Sequence, residues 1–305
     1  MSPYGTVFCY TFNLPAFFVI SGYFMNRKKP VDVYAALKVE QLIIPYICTG
    51  TFMIALAAVM RRDPAEWTGR VIYGAGLEPL HPFMNVGFVG PIWFFFALLF
   101  ALIIARVGIV NPPGIVIVIF SVMTGLVSSW IVWLPFGIQA GMMLSGYVYV
   151  GYLAKLLVNR IRPHIPDGII WPVTGVLTAV FVCVWFWYYS GEKTCVLFCI
   201  NEYPRGLADY FGPLSAIFSV ILLSAYIVRY IPFISAGLKW IGKNTLTMLC
   251  IHTVDTMFFE WKFLQEFEDP VTWRTLLLII ICKFIIYISL TVAVNRSRAY
   301  LQESR

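Results

Sequence analysis

The chain has 305 residues, of which 60% are hydrophobic, 17% aromatic and only 12% charged, with a formal net charge of +7 at pH 7. Soluble domains carry about 25% charged residues, so this composition excludes a water-soluble fold and marks an integral membrane protein. The basic residues are spread along the chain rather than gathered on one polar face or tail, which argues against a nucleic-acid partner.

A spanning helix needs about 20 mostly apolar residues at a rise of about 1.5 Å each. Nine such runs follow one another: Val7–Met25, Leu42–Met60, Val86–Ala105, Gly114–Leu134, Phe136–Leu157, Ile169–Tyr189, Tyr210–Val228, Ala236–Phe259 and Leu276–Val294. The expected fold is all-α, a polytopic membrane protein of about nine transmembrane helices forming a single domain over residues 1–305. The first run holds Asn13, Pro15, Ser21 and Gly22. Proline kinks a helix and a Ser-Gly pair lets a neighbouring backbone approach, and in a bilayer such features must face protein or a cavity. The fifth run carries Gly137, Gly141 and Ser145 at a spacing of four, a stripe for close helix packing. The eighth is the weakest, because Lys239 and Lys243 shorten its apolar part.

Threading the runs alternately across a bilayer sorts the loops by charge. One set, which includes Arg27, Lys28, Lys29 and Lys38, has fourteen basic and four acidic residues; the other has seven basic and eleven acidic, so the nets are +10 and −4. Lys and Arg are retained on the cytoplasmic side, so the C-terminus is expected inside the cell and Met1 on the outer side of the cell membrane. A start on the outer side without a signal peptide predicts one further helix before Met1.

The longest outer loops carry Trp67, Tyr73, His81, Glu192, Glu202 and Arg205. Sugar-binding surfaces combine aromatics and carboxylates in this way, and so do interfacial aromatic belts, the simpler reading. Cys9, Cys48, Cys183, Cys250 and Cys282 fall in apolar runs, where a thiol acts as a small hydrophobe. Cys195 and Cys199 share a polar loop, where an oxidising compartment would permit a disulfide. No His/Cys cluster has metal-ligand spacing, so neither a metal nor a permanently bound cofactor is expected.

Of the three histidines, His81 and His164 lie in loops. His252 lies in the eighth run with Asp255 on the same helix face, where a carboxylate can fix the imidazole tautomer. An ionisable residue at membrane depth is a functional candidate; the alternative is a packed histidine bonded to a neighbouring helix. Lys283, within the ninth run, must face protein or water, and Asp255 is a conceivable partner. Asn244, followed by Thr245, fits an N-cap of the eighth helix, with a substrate contact as the alternative.

Five blocks in chain order carry a family resemblance: FNLPAFFVISGYF, LKVEQLIIPYI, GPIWFFFALLF, LPFGIQAGMMLSGYVYVGYLAK and WIGKNTLTMLCIHT. They resemble the acyltransferase-3 type of membrane acyltransferase, in the branch similar to fucose 4-O-acetylases and polysaccharide O-acetyltransferases. The resemblance implies a membrane-bound enzyme that moves an acyl group, usually acetyl from acetyl-CoA as co-substrate, to a hydroxyl of a cell-envelope, exported or lipid-linked glycan. Membrane lipids, that glycan acceptor and acyl-CoA are then the expected partners. It implies a substrate cavity touched by Asn13, Ser21, Gly22, Trp93 and Asn244; His252 and Asp255, catalytic candidates by their place at membrane depth, would assist from its outer half. Arg27, Lys28, Lys29 and Lys38 would meet the donor's phosphates as point charges.

It also implies one helix more than the nine read here, carrying the family's catalytic His, in agreement with the loop charges. Two positions depart from the pattern: the family's His before Met-Pro is Asn13, and its paired basic residues read Lys38 and Gln41. Without the helix that bears the main base, little or no transferase activity is expected of these 305 residues. A glycan or lipid transporter, or an acyl-CoA-binding pseudoenzyme, would use the same helical cavity.

Overall fold

The computed structural model describes residues 12–77, 87–190, 196–259 and 273–303. Helices α1 (Asn13–Tyr23), α2 (Val31–Val59) and α3 (Pro64–Tyr73) come first. A 3-10 turn, Gly90–Trp93, leads into α4 (Phe94–Val110), followed by α5 (Gly114–Ile131), α6 (Ile138–Ile161) and α7 (Asp167–Ser190). The remainder is α8 (Ala208–Tyr230), α9 (Pro232–Lys243), α10 (Thr245–Phe258) and α11 (Trp273–Glu303).

Among the described residues, seven helical stretches are long and apolar enough to cross a membrane: those of α2, α4, α5, α6, α7, α8 and α11. Their outward faces are apolar, with Phe120 70%, Trp130 80% and Trp187 72% exposed, a surface that only lipid can cover over so many helices. The protein is an all-α, multi-pass membrane protein. Helix α1 supplies the described part of the first expected span, and residues 1–11 lie outside the described residues.

The eighth expected span, Ala236–Phe259, is two helices rather than one. They part at Asn244, whose backbone (φ −106°, ψ 7°) leaves the α region. Its side chain does not cap α10. Instead its Nδ2 donates to the Trp240 carbonyl at 2.8 Å and its Oδ1 accepts from Asn295 Nδ2 of α11 at 2.7 Å. Helix α9, with Lys239 and Lys243, buries no residue and is too short to span.

The core is built around α6, which packs against α1, α4 and α5. Helix α1 is continuous through Ser21–Gly22, and the pair serves a close backbone approach. A Cβ on Gly22 would collide with the Val148 carbonyl of α6, and one on Gly151 with the Val19 carbonyl of α1; the two backbones touch because neither glycine has a side chain. Pro15 sits in the first turn of α1, where its missing N–H has no intrahelical partner to lose. In the small-residue stripe, Gly141 packs on the Ala97 carbonyl of α4 and Ser145 is fully buried, donating to the Met142 carbonyl at 2.6 Å. Gly137 has a different role: at φ 60°, after Phe136 at φ 58°, it makes the turn into α6. Gln139, fully buried, ties this turn by accepting from Leu134 N at 2.9 Å.

Candidate functional site

The segment between α1 and α2 carries Arg27, Lys28 and Lys29, and basic side chains grip its backbone from below. Lys155 Nζ of α6 donates to the Met25 carbonyl at 3.1 Å, and Arg106 Nη2 of α4 donates to the carbonyls of Arg27 (2.9 Å) and Lys29. Arg27 turns back toward the core, donating to the Ile109 carbonyl at 3.3 Å with its guanidinium 5.9 Å from the Tyr152 ring centre. Beside this segment a cavity of about 390 Å³ is lined by Ser21, Asn26, Lys29, Tyr34, Lys38 and Gln41 among others. Lys38 Nζ donates to Gln41 Oε1 at 2.8 Å and lies 5.8 Å from the Tyr34 ring centre. Among the described residues no carboxylate lines this cavity.

Two further cavities continue along α2. The first, about 320 Å³, shares Gln41 and is bounded by Pro45, Cys48, Thr49, Lys243, Thr247 and Cys250. The second, about 500 Å³, shares Cys48, Thr49, Cys250 and Ile251 and reaches Asp255 and Tyr287 between α2, α10 and α11. From Lys38 to Phe52 the helical rise spans about 20 Å. Pro45 lies within α2 and lines the middle cavity, as does Gln41, whose carbonyl it leaves without an intrahelical donor.

At the far end stands a polar cluster in apolar surroundings. Lys283 Nζ and Tyr287 Oη, one turn apart on α11, both donate to Asp255 Oδ2 of α10 at 2.6 Å. The Tyr287 oxygen also lies 3.0 Å from His252 Nδ1. A phenol has one proton and here gives it to the carboxylate, so the short contact to His252 is Nδ1–H donating to the phenol oxygen. The neutral imidazole then keeps its lone pair on Nε2, the form a general base requires. Asp255 therefore orients His252 through Tyr287, and Lys283 offsets its charge. Among the described residues no group of three His, Cys, Asp or Glu side chains comes together to hold a metal.

Three adjoining cavities thus lie between a cationic end and the cluster that holds His252 behind Tyr287. A family model described as an acyltransferase domain matches residues 1–295. The chain belongs to the acyltransferase-3 family. Neither the curated proteins nor the solved structures yielded a match.

In this acyltransferase-3 chain the expected site residues divide into groups. Ser21, Lys29 and Lys38 line the first cavity together. Lys28 is exposed next to it, its backbone N–H bonded to Asn26 Oδ1 at 2.9 Å. His252 and Asp255 meet through Tyr287 in the distant cluster. Asn13 is exposed and accepts from Leu14 N at 2.7 Å, Gly22 is buried against α6, and Asn244 braces α10 against α11. Trp93, 3% exposed, is packed in the core against Gly76 and Gly137. Of the outer-loop aromatics, Trp67 is buried and stacks on Phe258 at 4.5 Å, with the Arg62 and Arg70 guanidinium groups over its ring. His81, Glu192 and Cys195 lie outside the described residues, and Cys199 is buried.

Two site residues escaped the sequence reading. Tyr287 follows Lys283 by four positions, so the shared helix face was available as a signal. Arg106 directly follows the third expected run, yet α4 continues to Val110 and buries it.

Proposed function

We propose that the protein is a membrane-bound O-acyltransferase that uses acetyl-CoA and acetylates a sugar hydroxyl of a cell-envelope or exported polysaccharide, the residues forming a single domain. The observation that carries this reading is the run of three adjoining cavities, with Lys29 and Lys38 at one end and the Asp255–Tyr287–His252 relay at the other. In this reading the cationic end is cytoplasmic and receives the phosphates of the donor, whose thioester arm follows α2. In place of the histidine that the resemblance puts on a further helix, this reading uses His252: the acceptor hydroxyl approaches the relay, His252 Nε2 takes its proton, the oxygen attacks the thioester carbonyl, and CoA leaves as a thiol on receiving that proton. A positioned base contributes typically about 10²- to 10⁴-fold to such a step.

A second reading, a donor-binding protein without turnover, is favoured by one observation: Asp255 and Tyr287 line the cavity, whereas His252 stands behind Tyr287 and is not among its lining residues.

Proteoliposomes containing the chain, supplied with radiolabelled acetyl-CoA on the cytoplasmic face and envelope glycan on the other, test both. Base-labile label on the glycan that falls at least about 100-fold in His252→Gln supports the enzyme. Saturable acetyl-CoA binding without incorporation selects the second reading, and glycan flux independent of acyl-CoA overturns both.

A further inference from the structure

Arg106 is the largest fully buried side chain described, 1% exposed, and no carboxylate pairs with it among the described residues. A buried cation without a counter-ion is costly, so its retention calls for a compensating group. Part of the compensation is internal: Nη2 donates to the carbonyls of Arg27 and Lys29, and the guanidinium lies 5.5 Å from the Tyr34 ring centre. Its Nε and Nη1, however, are buried and have no hydrogen-bond partner among the described residues. Two of the groups this head meets, Lys29 through its carbonyl and Tyr34 through its ring, also line the 390 Å³ cavity. Lys38 meets the same Tyr34 ring at 5.8 Å, so two cations flank one aromatic side chain.

We propose that Arg106 is the positioning residue of a phosphate-binding site in this cavity. It fixes the backbone of the segment that presents Asn26 and Lys29, and it places a partly compensated positive charge behind Tyr34, so that a bound phosphate completes its neutralisation. The assignment rests on the acetyl-CoA reading, in which this end of the cavity receives the donor's phosphates, and adds Arg106 as the residue that holds that end in place. A guanidinium fork suits the task because one planar group serves two carbonyls at once; a lysine ammonium in its place supplies the charge but not the fork.

The test measures binding to the purified chain in nanodiscs with two probes, acetyl-CoA and S-acetylpantetheine, which lacks the nucleotide phosphates. Arg106→Gln is expected to weaken acetyl-CoA by at least about tenfold, with Arg106→Lys in between, while S-acetylpantetheine is unchanged. Equal loss of both probes means a general structural role and overturns the proposal, as does unchanged acetyl-CoA binding. If Arg106→Gln does not fold, Arg106→Lys carries the test, and the same affinity as wild type for both probes overturns the proposal. Failure of the wild-type chain to bind acetyl-CoA at all overturns the donor reading and this assignment with it; wild-type binding that is indifferent to Arg106 overturns this assignment alone.

Discussion

Lys283 of α11 and Asp255 of α10 form an ion pair with Nζ and Oδ2 2.6 Å apart, their side chains 27% and 10% exposed. Removing one partner strands the other charge at membrane depth. Asp255→Asn is expected to destabilise the fold by about 2 kcal/mol, below the full cost of a buried pair because Lys283 is partly accessible. The double variant Asp255→Asn/Lys283→Met should lose less than the sum of its parts. Thermal unfolding of the four proteins in one detergent gives the coupling; additive losses would show that the contact carries no energy.

Tyr287 joins His252 to Asp255 by a single hydroxyl. Tyr287→Phe keeps the ring and deletes the relay, so glycan acetylation should fall about tenfold or more while acetyl-CoA affinity stays within about twofold of wild type. A matching loss of affinity would place Tyr287 in donor binding instead.

Lys29 and Lys38 face the same cavity. Lys38→Gln should weaken acetyl-CoA by about threefold to tenfold, and the deficit should shrink as ionic strength rises from about 0.01 to 0.15 M, because solvent-accessible charges are screened. Titrations at the two salt concentrations measure this. A deficit independent of salt would point to lost packing on Tyr34 rather than lost charge.

Gly22 and Gly151 let α1 and α6 touch. Gly22→Leu forces the helices apart along the length of the core and should cost about 3 kcal/mol or more, read as a large drop in the yield of monodisperse protein. Ser21→Ala, at the neighbouring position lining the cavity, should fold normally. Equal behaviour of the two variants would contradict the packing role of Gly22.

Much of the architecture was legible from the chain alone. The membrane class, the succession of apolar runs and the family blocks all follow from local composition, because a bilayer charges its penalty residue by residue and a helix satisfies its own backbone. His252 and Asp255 were legible as a pair on one face, since their spacing is a property of a single helix.

What tertiary structure alone decided is which helices share a cavity and at what depth. Lys283 and Tyr287 come to Asp255 from 28 and 32 positions away. Arg106 reaches a backbone segment 77 and 79 positions earlier in the chain. At Asn244 the eighth apolar run parts: its backbone N–H turns to the Ile241 carbonyl, and its side-chain amide takes up the freed Trp240 carbonyl and Asn295 of α11. These meetings depend on the rotation and axial offset of one helix against another. Packing of small residues such as Gly22 and Gly151 sets both quantities, and no single run of sequence contains them.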